Sequence, residues 1–241
     1  MGVINLTPDS FSGAGAAEGP QAAAVLARRL ADAGADWIDI GGESTRPGAA
    51  AVDEATESAR VLPAIASIRA VCATPVSIDT RKPSLARAAI AAGAAMWNDV
   101  SALRGAGAAE TAAELGCPVV LMHMRGEPAT MQDDPRYADV VAEVGAFLAE
   151  RAAAALSAGV QRDRIWLDPG LGFGKTVEHN LALIRGLPQL ARLGFPLVVG
   201  ASRKGMIGRL DPLGAEADDR LGGSLALALA AARGGAAMLR V

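Results

Sequence analysis

Along the chain, Ala-rich helical stretches end in a glycine, a short apolar run follows, and a polar cluster closes that run. The pattern occurs at Gly34 before 37–40, Gly93 before 94–97, Gly116 before 118–122, Gly159 before 165–167, Gly194 before 196–199 and Gly235 before 236–239. A glycine just past a helix takes the left-handed conformation that other residues adopt only at a cost. The apolar runs are continuous rather than alternating, as in parallel strands covered on both faces. Runs 3–4 and 75–78 lack the glycine but end in polar residues likewise, giving eight predicted strands. The segments between them predict helices over 20–33, 53–71, 83–92, 107–115, 136–157, 177–193 and 218–233. Such alternation makes an α/β protein with a parallel sheet, doubly wound or closed into a barrel. The polar residues decide between them. Asn5, Asp39, Asp79, Asn98, His123, Asp168, residues 200–202 and Arg240 end the strands in turn. A doubly wound sheet gathers its site at one switch point, whereas a barrel recruits from every strand end. The prediction is a single (β/α)8 TIM barrel, one domain spanning 1–241.

No helix follows the last strand, so the sequence reads as a barrel trimmed at both termini. Side-chain alternation sends Val3, Asn5, Ala236, Met238 and Arg240 inward and Ile4, Ala237, Leu239 and Val241 outward. Without an eighth helix after the last strand, Ile4, Leu239 and Val241 are expected to form an exposed apolar strip.

Composition narrows the class. At 51% hydrophobic residues and a net charge of −3, the chain is no disordered segment. No basic run marks a nucleic-acid binder. Two cysteines are too few for a disulfide framework. Arg233 interrupts the longest apolar stretch, 224–239, short of a membrane span. No cleavable signal precedes the first strand, so a soluble, cytoplasmic protein is expected.

The candidate chemistry lies at the strand ends. The first strand runs into Asn5-Leu6-Thr7-Pro8-Asp9-Ser10-Phe11-Ser12 and a small, flexible Gly/Ala segment, which predicts a loop folding over a ligand. The second ends Asp39-Ile40-Gly41-Gly42-Glu43-Ser44-Thr45-Arg46-Pro47-Gly48, where glycines, hydroxyls and an arginine suit an anion. Asp79, Asn98 and Asp168 each end an apolar strand, where an unpaired polar group is costly. Together they suit a flat heterocycle bearing an N–H and an exocyclic amine, such as a pterin or purine. Only three of the 23 cationic residues are lysines: Lys82, Lys175 and Lys204, all just past strand ends. A compact ammonium is therefore expected to matter at each. Lys175 follows a Gly-rich run without phosphate-loop spacing. Lys204 and Arg240 follow strands seven and eight, where barrels often bind phosphate. His123 and His179 lack zinc-ligand spacing.

Taken in order, Asn5–Ser12, Asp39–Gly48, Ser77–Arg81, Asn98–Val100, Leu121–Met124, Asp168–Lys175 and Ser202–Lys204 closely resemble the dihydropteroate synthase family. The matches span essentially the whole chain. The resemblance implies a transferase of folate biosynthesis, a target of sulfonamides, that joins p-aminobenzoate to 6-hydroxymethyl-7,8-dihydropterin diphosphate. By motif position it implies that Asp79, Asn98, Met122, Asp168 and Lys204 hold the pterin. Asn5, Thr45, Arg46 and Arg240 are implied at the diphosphate, with Asn5 also on Mg2+. Pro47, Phe173 and Ser202 are implied around p-aminobenzoate, and Asp9 and Phe11 on the first mobile loop. A homodimer is the family's implied state. Two departures stand out: Gly13-Ala14-Gly15 replaces the acidic, Gly-containing stretch usual after Ser-Phe-Ser, and the family's Arg-x-His reaches only Arg240-Val241 here. A pterin-binding methyltransferase domain and a non-catalytic pterin-binding homologue are the competing readings.

Overall fold

The computed structural model describes residues 1–7, 17–44, 48–211, 213 and 216–241. Eight strands alternate with helices: β1 (Gly2–Asn5), α1 (Gly19–Asp32), β2 (Ile38–Gly41), α2 (Glu54–Val71), β3 (Val76–Asp79), α3 (Pro83–Ala91), β4 (Met96–Asp99) and α4 (Ala108–Leu115). They continue with β5 (Val119–Met122), α5 (Val140–Ser157), β6 (Ile165–Asp168), α6 (Val177–Ala191), β7 (Leu197–Val199), α7 (Gly205–Leu210), α8 (Leu221–Arg233) and β8 (Ala236–Leu239). The strands pair in parallel in chain order. The ring then closes on itself. Met1 N donates to Leu239 O, Val241 N to Met1 O, and Val3 N to Val241 O, each at 2.9 Å. This is the (β/α)8 barrel read from the sequence.

Local chemistry sets the helix starts. Asp53 caps α2 by accepting from Thr56 N, and Asp139 caps α5 by accepting from Val141 N and Ala142 N. Thr176 and His179 satisfy each other's backbone N–H groups as a capping box on α6. Proline at the first turn opens α1 and α3, where its missing N–H has no partner to lose. Helix α5 begins at Val140 rather than at the expected residue 136, because Asp139 holds its cap.

Outward strand residues such as Ile38, Ile40, Ile78, Leu121 and Ile165 are buried beneath the helices. Inside the ring, Met96, Val120 and Val198 pack with Trp37, Trp166 and Met238. That apolar plug fills the lower barrel and leaves the chemistry to the C-terminal mouth.

Two expectations need correction. Helix α7 is absent from the sequence reading; with six residues, two of them glycine, it is too short to show a period. The exposed strip also fails at Ile4. The expected inward–outward alternation holds, but Ile4 is fully buried in the core with Ala23, Ala24 and Ala27 of α1. The helix that follows β1 covers it, so no helix after β8 is needed there. Leu239 is half-buried against the same core, and Val241 alone is exposed, at 56%. A different apolar face is exposed instead: Leu221, Leu225 and Leu229, one turn apart on α8. Among the described residues no helix is long and apolar enough to cross a membrane.

Candidate active site

The strand register brings Asn5, Gly41, Asp79 and Asn98 side by side at the mouth. Beyond them opens a cleft lined by Asp79, Asn98, Val100, Met122, Asp168, Gly170, Leu171, Phe173, Gly200, Lys204 and Arg240. The four polar residues expected to converge, Asp79, Asn98, Asp168 and Lys204, therefore do so, from β3, β4, β6 and the loop after β7. Met122, Phe173 and Arg240 join them.

Asp168 is buried, and its Oδ1 accepts from Gly170 N at 2.7 Å, fixing the carboxylate. That turn requires glycine: φ is +66°, and a Cβ would stand 1.9 Å from His123 O. Arg240 is shared. Its Nε donates to Asp39 Oδ2 at 2.7 Å and its Nη2 to Asp79 Oδ2 at 2.9 Å. Asn98 Nδ2 donates to the same Asp39 oxygen at 3.1 Å. Lys204 Nζ lies 4.6 Å from the centre of the Phe173 ring, a cation–π contact.

Two carboxylates around one guanidinium leave a surplus negative charge in a buried place. Burial first, and the Asp39 charge second, push the Asp79 carboxyl up to about 7. Burial also raises Asp168, against the pull of its hydrogen bond from Gly170. Lys204 is pushed down to about 8, by burial and then by the Arg240 charge. Burial opposes the Arg240 charge, but Asp39 and Asp79 outweigh it and keep the guanidinium protonated. The cleft can therefore hold or exchange a proton near neutrality while offering both acceptors and donors to a flat, polar ring.

Not every expected residue reaches the cleft. Asn5 and Ser202 are half-buried near the mouth, outside its lining. Thr45, Arg46, Pro47, Asp9 and Phe11 lie outside the described residues. His123 ends its strand but faces away from the mouth, edge-on to Phe147 at 4.9 Å with Nδ1 on Lys175 Nζ at 2.9 Å. Asp99 likewise faces the loop, accepting from Ser101 N, Ser101 Oγ and Leu103 N. The walls Val100, Leu171 and Gly200 fall inside stretches singled out in the sequence but were given no role of their own, because they carry no polar side chain.

The other two lysines are as specific as their rarity implies. Lys82 Nζ bonds Glu43 Oε2 at 2.6 Å and the fully buried Glu57. Lys175 Nζ meets His123 Nδ1, Gly170 O and Phe173 O within 3.0 Å, one acceptor for each ammonium proton.

The described residues contain no cluster of three His, Cys, Asp or Glu able to hold a metal. The described residues thus offer no cage for a resident metal, whereas an Mg2+ that keeps its waters and comes with a phosphorylated substrate needs only one or two protein oxygens. The Asn5 amide oxygen, in register with Gly41 at the mouth, has the chemistry such an ion would need.

Fold and cleft together define a barrel enzyme that takes a planar, hydrogen-bonding heterocycle. The model of the pterin-binding enzyme family matches residues 1–241. The chain is 46% identical over 241 residues to the dihydropteroate synthase of Escherichia coli K12, covering 100% of this chain and 85% of that protein. The Xanthomonas albilineans dihydropteroate synthase solved with 4-aminobenzoic acid superposes with a TM-score of 0.90 at 50% identity, over 100% of this chain and 86% of that one. A sulfonamide complex of the Yersinia pestis dihydropteroate synthase gives a TM-score of 0.95 at 42% identity, over 100% and 87%. The chain belongs to the dihydropteroate synthase family of pterin-binding enzymes.

Proposed function

We propose that this chain joins p-aminobenzoate to 6-hydroxymethyl-7,8-dihydropterin diphosphate, releasing diphosphate and 7,8-dihydropteroate for folate biosynthesis. The observation that carries the reading is the convergence of Asp79, Asn98, Asp168 and Lys204 on one cleft with Arg240 at its edge.

In this reading Asp168, Asn98, Asp79 and Lys204 hydrogen-bond the ring while Met122 packs against it. The C–O bond to diphosphate breaks, leaving positive character on the methylene and negative charge on the leaving group. The Asp79 and Asp168 carboxyls favour the electron-poor ring, and Arg240 with Thr45 and Arg46 receives the departing anion. When bound, Mg2+ supplies further neutralisation of that anion, with Asn5 as its protein oxygen. Pro47, Phe173 and Ser202 hold p-aminobenzoate so that its amine meets the methylene. The C–N bond forms and the amine then loses its proton, so no strong base is required. Asp9 and Phe11 belong to a first loop that keeps water from capturing the cation. The working form is a cytoplasmic homodimer, a reading supported by the exposed leucines of α8.

The test is a coupled assay of dihydropteroate and diphosphate with both substrates, with and without Mg2+. Stoichiometric release of both products, inhibited by a sulfonamide competing with p-aminobenzoate, is expected. Methyl transfer to a corrinoid without diphosphate, or tight pterin binding without product, would replace the synthase with one of its rivals.

A further inference from the structure

Asp39 is the least expected charge in the barrel. It points inward from β2, in register with Val3 on one side and Ser77 on the other. It is completely buried, beside an apolar plug, where an ionised carboxylate is expensive. It is outside the cleft lining and has no place in the roles assigned above. Its Oδ1 and the Oγ of Ser77 have no hydrogen-bond partner among the described residues. Such a group persists when it serves something other than stability.

What it touches tells what it serves. Both partners of Asp39 Oδ2 line the cleft: Arg240 through Nε at 2.7 Å and Asn98 through Nδ2 at 3.1 Å. The two contacts have different consequences. A guanidinium held by Nε on Asp39 and by Nη2 on Asp79 is fixed in plane and in rotation, with Nη1 uncommitted among the described residues. An ionised carboxylate only accepts, so it also decides which way the Asn98 amide lies. With Nδ2 turned to Asp39, the amide offers its carbonyl oxygen to the cleft. Asn98 is thereby an acceptor for a ligand N–H.

We propose that Asp39 is a positioning residue of the transfer reaction, aiming Arg240 at the leaving diphosphate and turning Asn98 into an acceptor for the pterin ring. This rests on the synthase reading and adds a residue to it.

The test compares Asp39→Asn with the unaltered chain, using Ser77→Ala as a control for disturbance of the same layer. Inorganic diphosphate, 6-hydroxymethylpterin and p-aminobenzoate are titrated separately by calorimetry, and steady-state rates are measured alongside. Expected are losses of about 10–100-fold in diphosphate affinity and in kcat/KM for the pterin diphosphate, the range for partners that orient a binding group. The p-aminobenzoate affinity should stay within about twofold, and Ser77→Ala should match the parent. A purely structural role would weaken all three ligands alike, and that result overturns the proposal, as does unchanged diphosphate binding. Should Asp39→Asn fail to fold, Arg240→Lys decides the matter: it keeps the charge but loses the two-point grip. Diphosphate affinity equal to the parent's would show that aiming is irrelevant. An unaltered chain that binds these ligands but forms no product would count against the synthase reading instead, while the diphosphate comparisons would still judge Asp39.

Discussion

Asp168 and Asp99 are both buried carboxylates at strand ends, but their hydrogen bonds assign them different tasks. Asp168 spends one oxygen on Gly170 N and lines the cleft, whereas Asp99 accepts three bonds from the loop that follows it. Asp168→Asn should therefore weaken 6-hydroxymethylpterin binding by about tenfold or more, the worth of one charged hydrogen bond, with a modest change in melting temperature. Asp99→Asn should leave pterin affinity near normal and cost roughly 1–3 kcal/mol of stability. At about 2–4 °C per kcal/mol for a chain of this size, thermal unfolding resolves the second effect and calorimetry the first. Equal pterin affinities for the two variants would remove Asp168 from the binding site.

At the scale of elements, the segment between β6 and α6 is tied to its surroundings by several hydrogen bonds. Gly172 N donates to Asn180 Oδ1 at 2.8 Å, Tyr137 Oη to Gly174 O at 2.9 Å, and Lys175 grips the carbonyls of Gly170 and Phe173. Burial pushes Lys175 down to about 7 and, with the Lys175 charge next, His123 down to about 3, so the imidazole is neutral. Lys175→Met should raise KM for p-aminobenzoate several-fold through displacement of Phe173 while leaving the far side of the cleft intact. A KM unchanged from the parent would show that the loop holds without its ammonium. Gly174→Ala should destabilise by about 1–3 kcal/mol, because φ is +64° and the new Cβ would lie 2.5 Å from Arg125 O. Thermal unfolding checks it.

The same elements show how much the sequence discloses. Continuous apolar runs, six of them after a helix-ending glycine, were enough for eight strands, because burial on both sides of a parallel strand leaves such a signature, and alternation gave the inward faces of the first and last. Lysine rarity singled out Lys175 and Lys204 before any contact was visible. The rest needed three dimensions. Nothing local says that α1 folds back over Ile4 or that six residues after Lys204 form a helix. Asp39 looked like another polar strand end; only its depth, below Gly41 on the same strand, separates it from the cleft residues.

For the whole molecule, the charge cluster under the mouth predicts a pH dependence of stability. The Asp79 carboxyl sits near 7 in the folded protein, raised from its ordinary 3.8. A raised carboxyl contributes stability that is complete below its unfolded pKa and is lost as pH climbs through the folded one. The melting temperature of the ligand-free protein should therefore fall between about pH 4 and pH 7 on account of this group. Asp79→Asn should flatten that slope while damaging pterin binding, so stability at pH 8 rises as function drops. A melting profile identical to the parent's across that window would place the surplus proton elsewhere.

The closure of the ring bears on how the chain is made. Strands β1 and β8 meet at the two ends of the chain, where Met1 N bonds Leu239 O across 238 residues. Because β1 leaves the ribosome long before β8, one flank of β1 stays unpaired until β8 has emerged. An unpaired strand flank is a template for pairing with a neighbouring chain, and so long a loop is slow to close by diffusion. The late-arriving strand is also the one that brings Arg240, so the anion-receiving group arrives in the same event that removes the last open edge.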